Sequence, residues 1–157
     1  MSERVLAAAA VAAAPLTIHE QIAELARFNC DPAAGGVTRE VFTSEYMAAS
    51  DYVAGLMRQA GLAVRTDAFG NLFGRLEGTA PAAAAVLCGS HIDTVLNAGR
   101  YDGVLGVLGA IEAVRGLRAG GWHPRRSIEV VCFAGEEPRF GKGCIGSRAM
   151  TGGDSLP

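Results

Sequence analysis

Apolar residues at Leu16, Ile18, Ile22, Leu25 and Phe28 recur at the three- and four-residue steps of one helical face, so the spacing predicts a helix over 16–29. Thr17 stands where an N-cap is wanted, and Glu20, three residues on, completes a capping-box pattern. Asp31-Pro32 and Gly35-Gly36 break this helix. A second helical pattern covers 38–60, with Val41, Tyr46, Met47, Val53, Leu56 and Met57 on one side and Gly61 as its stop. Segments 62–66 and 72–76 then read as two short strands around the turn residues Gly70-Asn71. Before all of these lies an Ala-rich run, 6–14, which reads as a helix rather than a signal segment because Glu3 offsets Arg4 and the run is alanine rather than leucine in character.

The pattern changes after residue 85. Val86-Leu87-Cys88 is a short apolar run, 104–117 is apolar with small residues at a length only a helix can use, and 126–134 is a nearly continuous apolar strand. Strand, helix of about four turns and strand make a βαβ unit, in which the two strands lie parallel through a right-handed crossover. The expected class is therefore α/β. Gly103, Gly106 and Gly109 in the crossover helix fit close helix–sheet packing, since they do not have the GxGxxG spacing of a nucleotide loop and GxxxxGK[ST] does not occur.

Composition narrows this further. At 157 residues, with half of them apolar and 19% charged, the chain has the size of one compact domain and enough apolar surface to bury. A formal charge of −2 with no basic block argues against nucleic acid, and no stretch is long enough to span a membrane. The four cysteines, Cys30, Cys88, Cys132 and Cys144, show no paired spacing and read as reduced, buried thiols of a cytoplasmic protein.

Ligand sites of parallel α/β sheets form beyond the carboxyl ends of the strands. There the sequence places Gly-Ser-His91-Ile-Asp93-Thr, then Tyr101-Asp102-Gly103 at the start of the crossover helix, and Gly-Glu136-Glu137 after the second strand. Taken singly, His91 is an ordinary loop histidine, Asp102 a helix cap and Glu136-Glu137 a solvated charge pair. Converging on one sheet edge, they form a candidate metal site: imidazole plus carboxylates suits Zn²⁺ or a similar divalent ion, and Asp93 has the position to fix the His91 tautomer. With Glu137 on the metal, Glu136 is available to take a proton from an activated water and return it to a leaving nitrogen. No GxSxG elbow occurs, Cys144 has no histidine partner in sequence, and His19 and His123 read as surface helix and loop residues.

The segments Gly-Ser-His91-Ile-Asp93-Thr-Val, Gly-Arg-Tyr-Asp102-Gly-Val-Leu-Gly, Phe-Ala-Gly-Glu136-Glu137-Pro-Arg139-Phe140-Gly and Gly146-Ser147-Arg148 together resemble the dinuclear-zinc amidohydrolases related to aminoacylases and glutamate carboxypeptidases. Within them the likeness is greatest to N-carbamoyl-L-amino-acid hydrolases, allantoate amidohydrolases and β-ureidopropionases. It runs from the first helix to the last residue and is densest over 69–151.

The resemblance implies a three-layer αβα sandwich around a largely parallel sheet, of zinc-exopeptidase type. Residues 1–157 would be the N-terminal portion of the catalytic, metal-binding domain, with the lid and dimerisation domain absent. His91 would bind one metal, Asp102 would bridge two, Glu137 would bind the other, Asp93 would orient His91, and Glu136 would be the general base. The implied cofactors are two divalent ions, zinc foremost, with manganese, cobalt or nickel as alternatives. The substrate would be a small linear amide or ureide, of the N-carbamoyl amino acid or allantoate type, and the full-length form a homodimer. Two further ligands that the family supplies find no counterpart here, so the 157-residue polypeptide is expected to be inactive alone. The competing readings are a peptidase or aminoacylase of the same superfamily, or a non-catalytic fragment that needs a partner chain.

Overall fold

A computed structural model describes residues 16–139 and 141–153. The Ala-rich run at 6–14, and Phe140, lie outside the described residues. Helix α1, Ile18–Leu25, begins at the Thr17/Glu20 capping box: Glu20 N–H donates to Thr17 Oγ1, and the Glu20 carboxylate accepts from Thr17 N–H. It stops four residues short of the expected end, and a 3₁₀ turn, Pro32–Ala34, follows.

The second helix, α2 (Ser44–Gln59), starts six residues later than the hydrophobic spacing suggests. Residues 38–42 are held in non-helical conformation by long-range bonds: Thr94 N–H donates to Arg39 O at 3.0 Å, and Arg39 N–H donates to Thr94 Oγ1 at 2.8 Å. Thr43 then caps the helix by accepting from Tyr46 N–H. Met47, expected on the buried side, is half exposed.

Strands β1 (Ala63–Thr66), β2 (Leu72–Leu76), β3 (Val86–His91) and β4 (Ile128–Phe133) form one sheet in the order β1-β2-β4-β3. β3 and β4 are parallel, joined by the crossover helix α3, Val104–Ala119, while β1 and β2 are added antiparallel. The sheet is therefore mixed, its parallel half being the βαβ unit. β3 is three residues longer than its apolar run, because Gly89, Ser90 and His91 continue the ladder opposite Val131, Cys132 and Phe133. A short helix, α4 (Ile145–Thr151), follows β4.

One core cluster unites α1, α2, α3 and the sheet face that presents Leu72, Val130 and Cys132, so these helices form a layer on that face. Close approach of α3 depends on small residues: a Cβ on Gly106 would lie 2.7 Å from Ser90 Cβ, whereas Gly109 faces open space and has no such role. Cysteine placement also departs from expectation. Cys132 is buried, but Cys88 lies on β3, the edge strand beside β4, and, like Cys30 and Cys144, is exposed.

Candidate metal centre

The parallel pairing of His91 with Phe133 brings the segments after β3 and β4 to the same edge, and Gly103 turns the chain into α3 beside them. There His91, Asp102 and Glu137 each offer a ligand atom, all within 4.8 Å of one another. His91 Nε2 faces Glu137 Oε1 at 3.9 Å.

Asp102 does not serve as the helix cap. The N-cap is Gly103, with no side-chain cap bond, which leaves the exposed Asp102 carboxylate for the cluster. Gly103 has φ +64°, and a Cβ there would stand 2.5 Å from His91 Nε2, so the imidazole lies flush against a backbone that only glycine can supply.

His91 Nδ1 is 3.0 Å from the Asp93 backbone carbonyl and 3.6 Å from Asp93 Oδ1. The backbone oxygen is thus the nearer acceptor. A proton on Nδ1, facing these acceptors, leaves Nε2 as the ligand atom. Asp93 is buried; its Oδ2 accepts from Glu137 N–H at 2.9 Å, and its Oδ1 has no hydrogen-bond partner. Burial pushes its carboxyl above the ordinary aspartate range, opposed by the Glu137 N–H and by His91. Asp93 therefore ties the β3 segment to the β4 segment and places both Glu137 and His91.

Glu136 lies outside the three-donor group. Ser147 N–H donates to its Oε1 at 2.9 Å and Ser147 Oγ donates to its Oε2 at 2.8 Å. The adjacent glutamates are thus separated: one faces His91, the other is held by α4.

Sequence reasoning missed the support behind β3. Arg39 is 1% exposed, and its guanidinium donates to the carbonyls of Ile92 (2.8 Å), Leu25 (2.9 Å) and Phe28 (3.1 Å). Burial lowers it to about 10. Only its long-range partners mark its role, and these are invisible along the chain. Arg139, part of the sequence resemblance, pairs with Glu40 at 3.4 Å and donates to the Val41 carbonyl. Glu40, Val41, Asp93, Glu137 and Arg139 are among the residues lining a cavity of about 260 Å³, which shares Glu137 with the candidate metal-ligand group. His19 and His123 are both exposed, and neither belongs to the cluster.

The donors fit a divalent cation: one imidazole nitrogen and two carboxylates of the right type, a glycine cradle against the imidazole, and an unpartnered buried carboxylate oxygen behind it. Residues 71–155 match the model of "Peptidase family M28". The chain belongs to peptidase family M28. It is 48% identical over 140 residues to ureidoglycolate hydrolase of Oryza sativa, covering 88% of this chain and 29% of that protein. It is 51% identical over 134 residues to N-carbamoyl-L-amino acid amidohydrolase of Geobacillus stearothermophilus, covering 85% and 32%. With allantoate amidohydrolase of Bacillus subtilis it shares 42% over 137 residues, covering 87% and 33%.

The solved structure of AtUAH in complex with (S)-hydroxyglycine superposes with a TM-score of 0.83 at 48% identity, over 86% of this chain and 32% of that one. A zinc-dependent exopeptidase fold from Bacteroides vulgatus matches at TM-score 0.62 and 21% identity, over 84% of this chain and 51% of that one, which shows the fold alone. The α/β zinc-exopeptidase-like architecture is thereby established, and the chain spans about a third of the length of the curated relatives it matches. Among the described residues no helix is long and apolar enough to cross a membrane.

Proposed function

We propose that this site hydrolyses a C–N bond in a linear amide or ureide, of the N-carbamoyl amino acid or allantoate type. The reading is carried by the meeting of His91, Asp102 and Glu137 with Glu136 held apart beside them. It is supported by relatives whose names are ureidoglycolate hydrolase, N-carbamoyl-L-amino acid amidohydrolase and allantoate amidohydrolase.

His91 and Glu137 would each hold one divalent ion, zinc foremost, with Asp102 shared. Such ions, when bound, lower the pKa of water and polarise a carbonyl. The chain's own residues do the rest. Asp93 fixes the imidazole and the Glu137 backbone, so the ligands keep their separation without a metal. Glu136, as general base, takes the proton of the attacking water and returns it to the departing nitrogen. With Asp102 shared, the described residues give each ion two ligands, where catalytic zinc sites generally use three from protein. The isolated 157-residue polypeptide is accordingly expected to bind metal weakly and to turn nothing over.

A panel of N-carbamoyl amino acids, allantoate, acyl amino acids and dipeptides, offered to the protein as its host makes it, tests this. The expected result is cleavage of a carbamoyl or ureide substrate, abolished by chelator and by Glu136→Gln. Cleavage confined to acyl amino acids or dipeptides would favour the peptidase or aminoacylase reading that the family name also supports. Hydrolysis by the purified 157-residue chain, lost with chelator and with Glu136→Gln, would refute its inactivity.

A further inference from the structure

We infer that Ser147 is a positioning residue whose amide and hydroxyl fix the Glu136 carboxylate, and that Asn71 builds the frame on which Ser147 sits. The inference rests on Glu136 acting as the base. Ser147 supplies a donor to each Glu136 oxygen, N–H to Oε1 at 2.9 Å and Oγ to Oε2 at 2.8 Å. The alternative acceptor for the hydroxyl, Cys144 O, is at 3.5 Å, so the carboxylate has the shorter bond. Two donors to two oxygens fix both the torsion and the plane of the carboxylate, as a single bond could not.

The serine is itself held from the sheet. Gly146 N–H donates to Ala134 O at 2.9 Å, and Asn71 Nδ2 donates to Gly146 O at 3.1 Å while Asn71 Oδ1 accepts from Ala134 N–H at 2.9 Å. Asn71 is fully buried, and its amide is oriented by Asp67 Oδ2 at 2.8 Å. A Cβ on Gly146 would fall 2.1 Å from Asn71 Oδ1, so the helix start can approach the end of β4 only as glycine. On the far side of the loop, Cys144 N–H donates to Glu136 O and Ile145 N–H to Gly135 O, each at 2.9 Å. Backbone and carboxylate of Glu136 are thus gripped by one short stretch, 144–147. The Asp67-x-x-Gly70-Asn71 turn and the Gly146-Ser147 pair are therefore one device for aiming Glu136, built from residues outside the His91, Asp102 and Glu137 group.

The test compares Ser147→Ala, Ser147→Thr, Glu136→Gln and the Glu136→Gln/Ser147→Ala pair in the protein as its host makes it. The expected result is a kcat loss of about 10- to 100-fold in Ser147→Ala with KM and bound metal unchanged, since one of two orienting bonds is lost. Ser147→Thr, which keeps the hydroxyl, restores the rate, and Ser147→Ala adds nothing to Glu136→Gln. An unchanged kcat in Ser147→Ala, or an equal further loss in the Glu136→Gln background, overturns the inference. If Glu136→Gln itself leaves the rate intact, the functional reading fails instead. A readout independent of turnover is the Ser147 amide proton in NMR spectra of the 157-residue chain. It shifts upfield in Glu136→Gln where the charge-assisted bond is lost, and no shift overturns the contact.

Discussion

Replacing Arg39 by methionine removes the guanidinium from the base of the site while keeping most of the side-chain volume. Three carbonyls lose the guanidinium: Ile92 and Leu25 in buried surroundings and Phe28 in a partly buried one, with Leu25 O keeping the Phe28 N–H at 3.3 Å. An unsatisfied buried acceptor costs about 1–3 kcal/mol, and relief of a buried charge offsets part of the sum. Two carbonyls left without a donor, less that relief, give a net loss of about 2–4 kcal/mol, a large share of the ~5–15 kcal/mol by which domains are stable. Arg39→Lys keeps the charge but lacks the planar fork that reaches three oxygens, and falls between. Because Ile92 precedes Asp93, the same change loosens the segment that orients His91, so zinc affinity drops as well. Urea unfolding with zinc titration of the same variants checks both effects. A loss below about 1 kcal/mol in Arg39→Met, the floor for one unsatisfied carbonyl, together with unchanged zinc affinity, would refute the role assigned to this residue.

Three further outcomes are expected. Gly103→Ala, with its φ of +64° and a Cβ 2.5 Å from His91 Nε2, costs about 1–2 kcal/mol from backbone conformation and weakens zinc binding beyond what the stability loss explains, as paired unfolding and metal titrations will show. Cys132 is buried with its thiol pushed well above the usual range by that burial. Its folded pKa exceeds the unfolded value of about 8.5, so its contribution is complete below that pH and is lost above it by about 1.4 kcal/mol per unit; Cys132→Ala flattens this alkaline limb in denaturation curves at pH 7.5 and 10.5. Val86 and Leu87, 45% and 41% exposed on the outer strand of the sheet, predict concentration-dependent self-association of the 157-residue chain, which Leu87→Lys reduces in sedimentation experiments.

The parts legible in the sequence were those set by local pattern. The capping box at Thr17 and Glu20, the apolar run of β4 and the small-residue crossover helix each carry their own signal, and together they place His91, Asp102 and Glu137 at one edge. Residues 38–42 continue a helical spacing, yet Arg39 and Thr94, 55 positions apart, exchange hydrogen bonds that a helix would forbid. β3 outran its apolar run because ladder bonds to β4 compensate for the weak strand preference of Gly89 and Ser90. Cys88 looked buried because an apolar run does not reveal whether its strand is central or at an edge. Asn71 reads locally only as a turn residue and Ser147 only as part of Gly146-Ser147-Arg148, since the partners that join them to the site lie 75 and 11 residues away and only the closed fold brings them together.

The central claim is a division of labour at the sheet edge: His91, Asp102 and Glu137 hold metal, and Glu136 does not. Zinc titration of the chain beside His91→Ala, Asp102→Ala, Glu137→Ala and Glu136→Gln addresses it directly. Each of the first three changes is expected to weaken binding at least about tenfold, as loss of a ligand should, while Glu136→Gln binds as the parent does. Equal binding by parent and His91→Ala, or loss of zinc in Glu136→Gln, would contradict it.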